Sequence, residues 1–227
     1  MAIRALLFDV YGTLLDVHGL TAALDTVAPG QGAALSALWR QKQIDYSRLR
    51  TLSGHHADFA QVTADGLDFA AEKLGVRLSG AQRAALLDAY DALPAHADAK
   101  PALAALVKRG GLVLGVLSNG TPQMLERGLG AAGLTPYLTH RLSIEAAGKY
   151  KTAPEAYQLG PDALELPVGE IGFVSSNGWD ACCATWFGYR TIWVNRGREP
   201  LERLGVVPER EVRGLGEVVA GATAPGA

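Results

Sequence analysis

Cysteine is nearly absent from this chain. Of 227 residues only two are cysteine, the adjacent Cys182 and Cys183. Neighbours in sequence seldom bond each other, so a disulfide framework is excluded and a reducing compartment is expected. An excess of charge is lacking too. The chain carries 21 basic and 23 acidic residues, a net charge of −2, with no basic run. That excludes the electrostatic footprint of a nucleic-acid binder. No apolar run is long enough to cross a bilayer. The N-terminus shows neither a long apolar h-region nor a cleavage site, so no signal peptide is expected. These absences point to a cytoplasmic protein with neither nucleic acid nor a membrane as partner. No internal repeat is found. Apolar residues, by contrast, are plentiful at 48%. They suffice for a substantial core in one large domain, or in a domain with a modest insertion.

The stretch Leu6-Leu7-Phe8-Asp9-Val10-Tyr11-Gly12-Thr13-Leu14 organises the rest. It opens as an apolar run of strand type over 4–10 and ends in a turn bearing a carboxylate, a glycine and a hydroxyl. An open α/β sheet places its chemistry at such strand ends. From about 20 to 90 there is almost no strand signal, whereas 33–52, 59–74 and a segment from Ser79 to about 90 have helical spacing. This all-helical block, 16–96, reads as an insertion. The α/β pattern resumes with a helix over 101–109, a strand over 112–117 and a helix from Pro122 to near 133. A short strand over 141–144, a helix over 154–164, a strand over 172–174, a helix over 180–187 and a last strand over 191–194 follow. Alternation of this kind implies a parallel, doubly wound, Rossmann-like sheet. The expected organisation is a core formed by 1–15 and 97–219, a helical cap over 16–96, and a disordered tail over 220–227.

Polar residues gather at four strand ends: Asp9 with Thr13, Ser118 with Asn119, Lys151, and Ser175 with Asn177 and Asp180. Singly, each has an ordinary explanation as a turn former, a cap or a surface charge. In a parallel sheet all four ends open on one edge, and packing alone does not require that coincidence. His55-His56 lacks the Cys or carboxylate company of a metal site and reads as surface. Cys182-Cys183 reads as structural.

The segments 9–14, Ser118-Asn119-Gly120, Lys151 and 175–180 resemble the four motifs of the haloacid dehalogenase superfamily. Within it, Leu38-Trp39-Arg40-Gln41-Lys42-Gln43-Ile44-Asp45-Tyr46-Ser47 and 174–181 are most similar to the L-2-haloacid dehalogenases of type II. The resemblance spans about 3–196. Most of the superfamily are phosphatases, which supply a second Asp two residues after the nucleophile and an early acidic metal ligand in the fourth motif. Here those places hold Tyr11 and the run Ser175-Ser176-Asn177. Phosphoryl transfer needs a magnesium ion and an acid for the leaving alkoxide, whereas a halide leaves without a proton. The resemblance therefore implies a cofactor-free, metal-free hydrolysis of short (S)-2-haloalkanoic acids to (R)-2-hydroxy acids.

In that scheme Asp9 is the nucleophile and forms an ester, with Lys151 as counter-charge and Thr13 orienting one oxygen. Family analogy gives Ser118 the substrate carboxylate, and Arg40 and Asn119 the departing halide. Ser175, Asn177 and Asp180 place the hydrolytic water or hold Lys151, and Tyr157 lies near the nucleophile. Tyr11, Gln41, Ile44, Phe59 and Trp179 are the candidates for the apolar wall. A homodimer is implied by resemblance only. Two rival readings stay open at this stage, a magnesium-dependent phosphatase and a catalytically silent carboxylate-binding relative. Asp9→Asn separates enzyme from binder, because it abolishes turnover but leaves binding.

Overall fold

The computed structural model describes residues 2–221. Its sheet has six parallel strands in the order β3-β2-β1-β4-β5-β6. They are β1 (Ala5–Phe8), β2 (Val113–Ser118), β3 (His140–Ser143), β4 (Ile171–Ser175), β5 (Arg190–Val194) and β6 (Arg210–Val212). All four residues of β1 are buried, as expected of a central parallel strand covered on both faces. The chain lays β2 and β3 to one side of β1, then returns to lay β4, β5 and β6 on the other. That reversal opens a crevice beyond the carboxyl ends of β1 and β4, the topological switch point of such sheets. Asp9 follows β1, with its N–H on Val174 O at 2.9 Å, and Ser175 ends β4.

Between β1 and the sheet helices come α1 (Thr21–Val27), α2 (Gly32–Ser53), α3 (Phe59–Lys73) and α4 (Gly80–Tyr90). The chain leaves and re-enters the sheet layer through adjacent segments. Asp16 N–H donates to Pro94 O at 2.8 Å and His96 N–H to Leu14 O at 2.9 Å. Helix ends follow local chemistry. Gly54, left-handed at φ 73, stops α2. Asp58 caps α3 by accepting from Gln61 N–H. Ser79 and Gln82 form a reciprocal capping box on α4. Trp39 Nε1 donates to Thr63 O at 2.8 Å and ties α2 to α3. The remaining helices are α5 (Ala99–Arg109), α6 (Pro122–Ala131), α7 (Pro154–Leu164), α8 (Gly178–Phe187) and α9 (Leu215–Gly221).

Several readings of the sequence need correction. The helix expected over 180–187 starts at Gly178, which puts Asp180 inside its first turn. The strand over 191–194 is not the last, since β6 and α9 follow. With three residues, two of them charged, β6 is too short to show an alternation. Helix α1, seven residues long, was equally inconspicuous. Ala220 and Gly221, assigned to the tail over 220–227, instead complete α9. The rest of that tail, 222–227, lies outside the described residues.

Candidate active site

Asp9 is almost wholly buried and both of its oxygens are engaged. Oδ1 accepts from Lys151 Nζ at 2.8 Å. Oδ2 accepts from Thr13 Oγ1 at 2.9 Å and from Asn177 Nδ2 at 2.9 Å. The turn after β1 makes this possible. The N–H groups of Thr13, Leu14 and Leu15 all converge on Val10 O, and Gly12 takes φ 94, a left-handed conformation that glycine adopts without strain. Thr13 Oγ1 in turn accepts from Ser176 N–H at 2.8 Å, which locks the turn to the end of β4.

Lys151 sets a positive charge between two buried carboxylates. Its ammonium also donates to Asp180 Oδ2 at 2.8 Å and to Leu117 O at 3.0 Å. Asp180 is completed by Tyr157 OH on Oδ1 at 2.7 Å and Ser175 Oγ on Oδ2 at 3.0 Å. Burial works against the charge on Lys151, but Asp180 and Asp9 outweigh it and hold the ammonium above its ordinary pKa. Burial raises the Asp180 carboxyl, and Lys151 only partly pulls it back. Tyr157 is pushed well up by burial and then by the Asp180 charge, so its hydroxyl stays a donor. Among the described residues no group of three or more His, Cys, Asp or Glu side chains is arranged to hold a metal ion.

Helix α2 lays a face over this cluster. Arg40 donates to Tyr11 O at 3.1 Å and to Asn177 Oδ1 at 3.4 Å, and it forms no salt bridge among the described residues. Arg40, Gln43, Ile44 and Ser47, at helical i, i+3, i+4 and i+7 spacing, line one chamber with Asp9, Tyr11, Phe59, Asn119 and Trp179. The chamber measures about 10 Å³, while a single water needs about 10–15 Å³. A cleft of about 750 Å³ opens outside it and shares Arg40, Ile44 and Trp179 with the chamber wall. Tyr11 is stacked on Tyr90 at 5.5 Å and 19° and lies 5.5 Å from Phe59. Gly120 is needed beneath it, since a Cβ there would come within 2.8 Å of the Tyr11 ring. Trp179 lies under the Arg48 guanidinium at 4.7 Å, and its indole N–H is buried without a partner among the described residues.

Of the residues expected at the site, Asp9, Thr13, Lys151, Tyr157, Ser175, Asn177 and Asp180 form one hydrogen-bonded cluster. Arg40 reaches that cluster through Asn177, and Tyr11, Ile44, Phe59, Asn119 and Trp179 form chamber wall. Two are placed otherwise. Gln41 is exposed and donates to Asp45 Oδ1, because a helix turns it about 100° from Arg40. Ser118 is fully buried behind the wall, its hydroxyl accepting from Gly120 N–H. Gln43 and Ser47 were overlooked. Their spacing from Arg40 was the available signal. Gln43 is held by Thr63 Oγ1 and Tyr90 OH.

Comparison with known proteins bears on this geometry. The family profile described as haloacid dehalogenase-like hydrolase matches residues 3–185. An (S)-2-haloacid dehalogenase of Pseudomonas sp. (strain YL) is 42% identical over 217 residues, 96% of this chain and 93% of that protein. The crystal structure of an L-2-haloacid dehalogenase superposes with a TM-score of 0.95 at 44% identity, covering 98% of this chain and 99% of the other. A second, from Xanthobacter autotrophicus with chloropropionic acid covalently bound, gives a TM-score of 0.89 at 33% identity, covering 96% and 97%.

Proposed function

The chain belongs to the haloacid dehalogenase-like hydrolases, and on that premise we propose that it hydrolyses short (S)-2-haloalkanoic acids to (R)-2-hydroxy acids through an ester on Asp9. It is a hydrolase acting on carbon–halide bonds. The observation that carries the reading is the Asp9–Lys151–Asp180 arrangement. It gives a fixed, poorly hydrated carboxylate whose charge is balanced by an ammonium at 2.8 Å.

In the first step an Asp9 oxygen attacks C2 from the side opposite the halogen. The new C–O bond forms as the C–halogen bond breaks, and the halide leaves with the bonding pair. Arg40 supplies the cation for it, since no carboxylate claims its guanidinium, and Asn119 and the unpartnered Trp179 N–H supply neutral donors on the same wall. In the second step water attacks the Asp9 carbonyl carbon, and the bond from that carbon to the substrate oxygen breaks. The hydroxy acid leaves with an oxygen from Asp9, and C2 has been inverted once. Asp180, with its carboxyl raised by burial and steadied by Tyr157 and Ser175, takes the water's proton and returns it to the leaving alkoxide oxygen as the hydroxy acid departs. Ser118 acts from behind the wall by shaping the turn that carries Asn119 and Gly120.

The segment 16–96 serves as a cap over a core formed by 1–15 and 97–219. The apolar Tyr11, Ile44 and Phe59 confine the substrate's alkyl tail. Exposed Leu49, Leu52 and Phe69 on α2 and α3 support a homodimer through the cap. Two unpaired cysteines fit a cytoplasmic site of action. Among the described residues no helix is long and apolar enough to cross a membrane.

The test is halide release from L- and D-2-chloropropionate with a chelator present throughout. Release from the L substrate alone is expected. Failure to release chloride from either would overturn the reading.

A further inference from the structure

Tyr150 immediately precedes the lysine of the cluster. It is fully buried, yet it is held largely by the helical segment that lies over the sheet edge. Its hydroxyl donates to Ala57 O at 2.6 Å and its backbone N–H to Thr51 Oγ1 at 3.1 Å. Its ring lies 6.1 Å from that of Phe59, on the chamber wall, and 5.4 Å from that of His56. Farther out, His56 Nε2 meets Glu145 Oε2 at 2.9 Å across the same seam. One residue on, Lys151 N–H donates to Asn119 Oδ1 at 3.0 Å and its ammonium bridges Asp9 and Asp180. The lysine is therefore held by the sheet cluster at its tip and by Asn119 at its backbone, while the helical segment grips the residue just before it.

We propose that Tyr150 is a positioning residue that couples the seating of segment 51–59 to the placement of Lys151 between Asp9 and Asp180. The chamber holds about one water's volume when closed, so a haloacid enters only if this wall moves. Segment 51–59 carries the wall residue Phe59, and its bonds from Thr51 and Ala57 to Tyr150 then transmit its position to the lysine. Lys151 is 1% exposed. A displaced root finds little free space for compensation in a close-packed interior, and a misplacement of about 1 Å is costly to catalysis. The lysine is thus set for chemistry when the wall is closed on substrate.

This inference rests on the role given to Lys151 above, so two sets of variants are needed. Lys151→Met tests that role, and a variant that still releases halide at the wild-type rate refutes it. Thr51→Val tests the coupling, because it removes the acceptor for the Tyr150 N–H from a residue outside the chamber. Thr51→Ser keeps the acceptor. Tyr150→Phe removes only the hydroxyl. For Thr51→Val and Tyr150→Phe, kcat is expected to fall about 5- to 10-fold with KM within about 2-fold, in line with lost positioning. The acid limb of the kcat–pH profile should rise by about half to one pH unit as Asp180 loses its counter-charge, while Thr51→Ser matches the wild type. A purely structural role would lower thermal stability and the active fraction without moving the limb, and that result would overturn the proposal. A crystal structure of Thr51→Val decides independently of turnover. Lys151 Nζ displaced from either carboxylate is expected, and unchanged contacts would refute the coupling.

Discussion

The ammonium of Lys151 stands 2.8 Å from Asp9 Oδ1, in surroundings that exclude nearly all water. Because it also serves Asp180, Lys151→Met would strand two carboxylates at once. Breaking a buried pair by removing one partner costs about 3–5 kcal/mol. A loss of that order is expected in urea unfolding at neutral pH, together with loss of halide release. A Lys151→Met protein as stable as the wild type would show that the carboxylates find compensation elsewhere.

Transfer through Asp9 has an isotopic signature. In a single turnover in ¹⁸O water with enzyme in excess, the hydroxy acid should contain no label and Asp9 should gain it. Over many turnovers the label then appears in the product. Mass spectrometry of product and of the peptide containing Asp9 checks both. Labelled product in the first turnover would mean that water attacks C2 directly.

The small chamber predicts preference for short acids. Ile44→Ala and Phe59→Ala, both on its wall, should shift the kcat/KM ratio of L-2-chlorobutyrate to L-2-chloropropionate upward by about 10-fold, since one methylene in a pocket is worth about 10- to 200-fold. An unchanged ratio would place the alkyl tail elsewhere.

His96 links acidity to stability where the helical segment rejoins the sheet layer. Burial lowers its pKa, Arg196 lowers it further, and Asp16, the Gly12 carbonyl bond and Asp98 restore only part. Its folded value lies below the ordinary value of about 6.5, so the unfolded chain binds the proton more readily. The stability contributed by neutral His96, which bonds Gly12 O at 3.0 Å, is therefore full above about pH 6.5 and lost as pH falls below it. His96→Asn is expected to flatten this part of the melting-temperature profile. An unchanged slope between pH 7.5 and 5.5 would assign the acid sensitivity to another group.

Much of the site was legible because strand ends in a parallel sheet share one edge. Once β1, β2 and β4 were read from their apolar runs, Asp9, Thr13, Asn177 and Asp180 were expected on one edge, and the strand order that seats β1 between β2 and β4 brings them together. The helical block over 33–90 was legible through its spacing and caps. What faces the chamber was not. Gln41 and Gln43 are alike in chemistry and differ only in helical phase, and the packing of α2 on α3 through Trp39 fixes that phase. Tyr150 looks like any core aromatic in sequence, because its partners Thr51 and Ala57 are more than ninety residues away in the chain. The burial of Ser118 was not legible either, since its hydroxyl satisfies the turn that follows. β6 and α9 are too short for periodicity to register. The sequence by itself determined the class of fold and the placing of a carboxylate, Asp9, just after the central strand, which depend on local runs and strand ends. Only the tertiary structure decided the chamber's size, the face α2 presents and the contacts of Thr51 and Ala57 with Tyr150, because these depend on how distant segments pack.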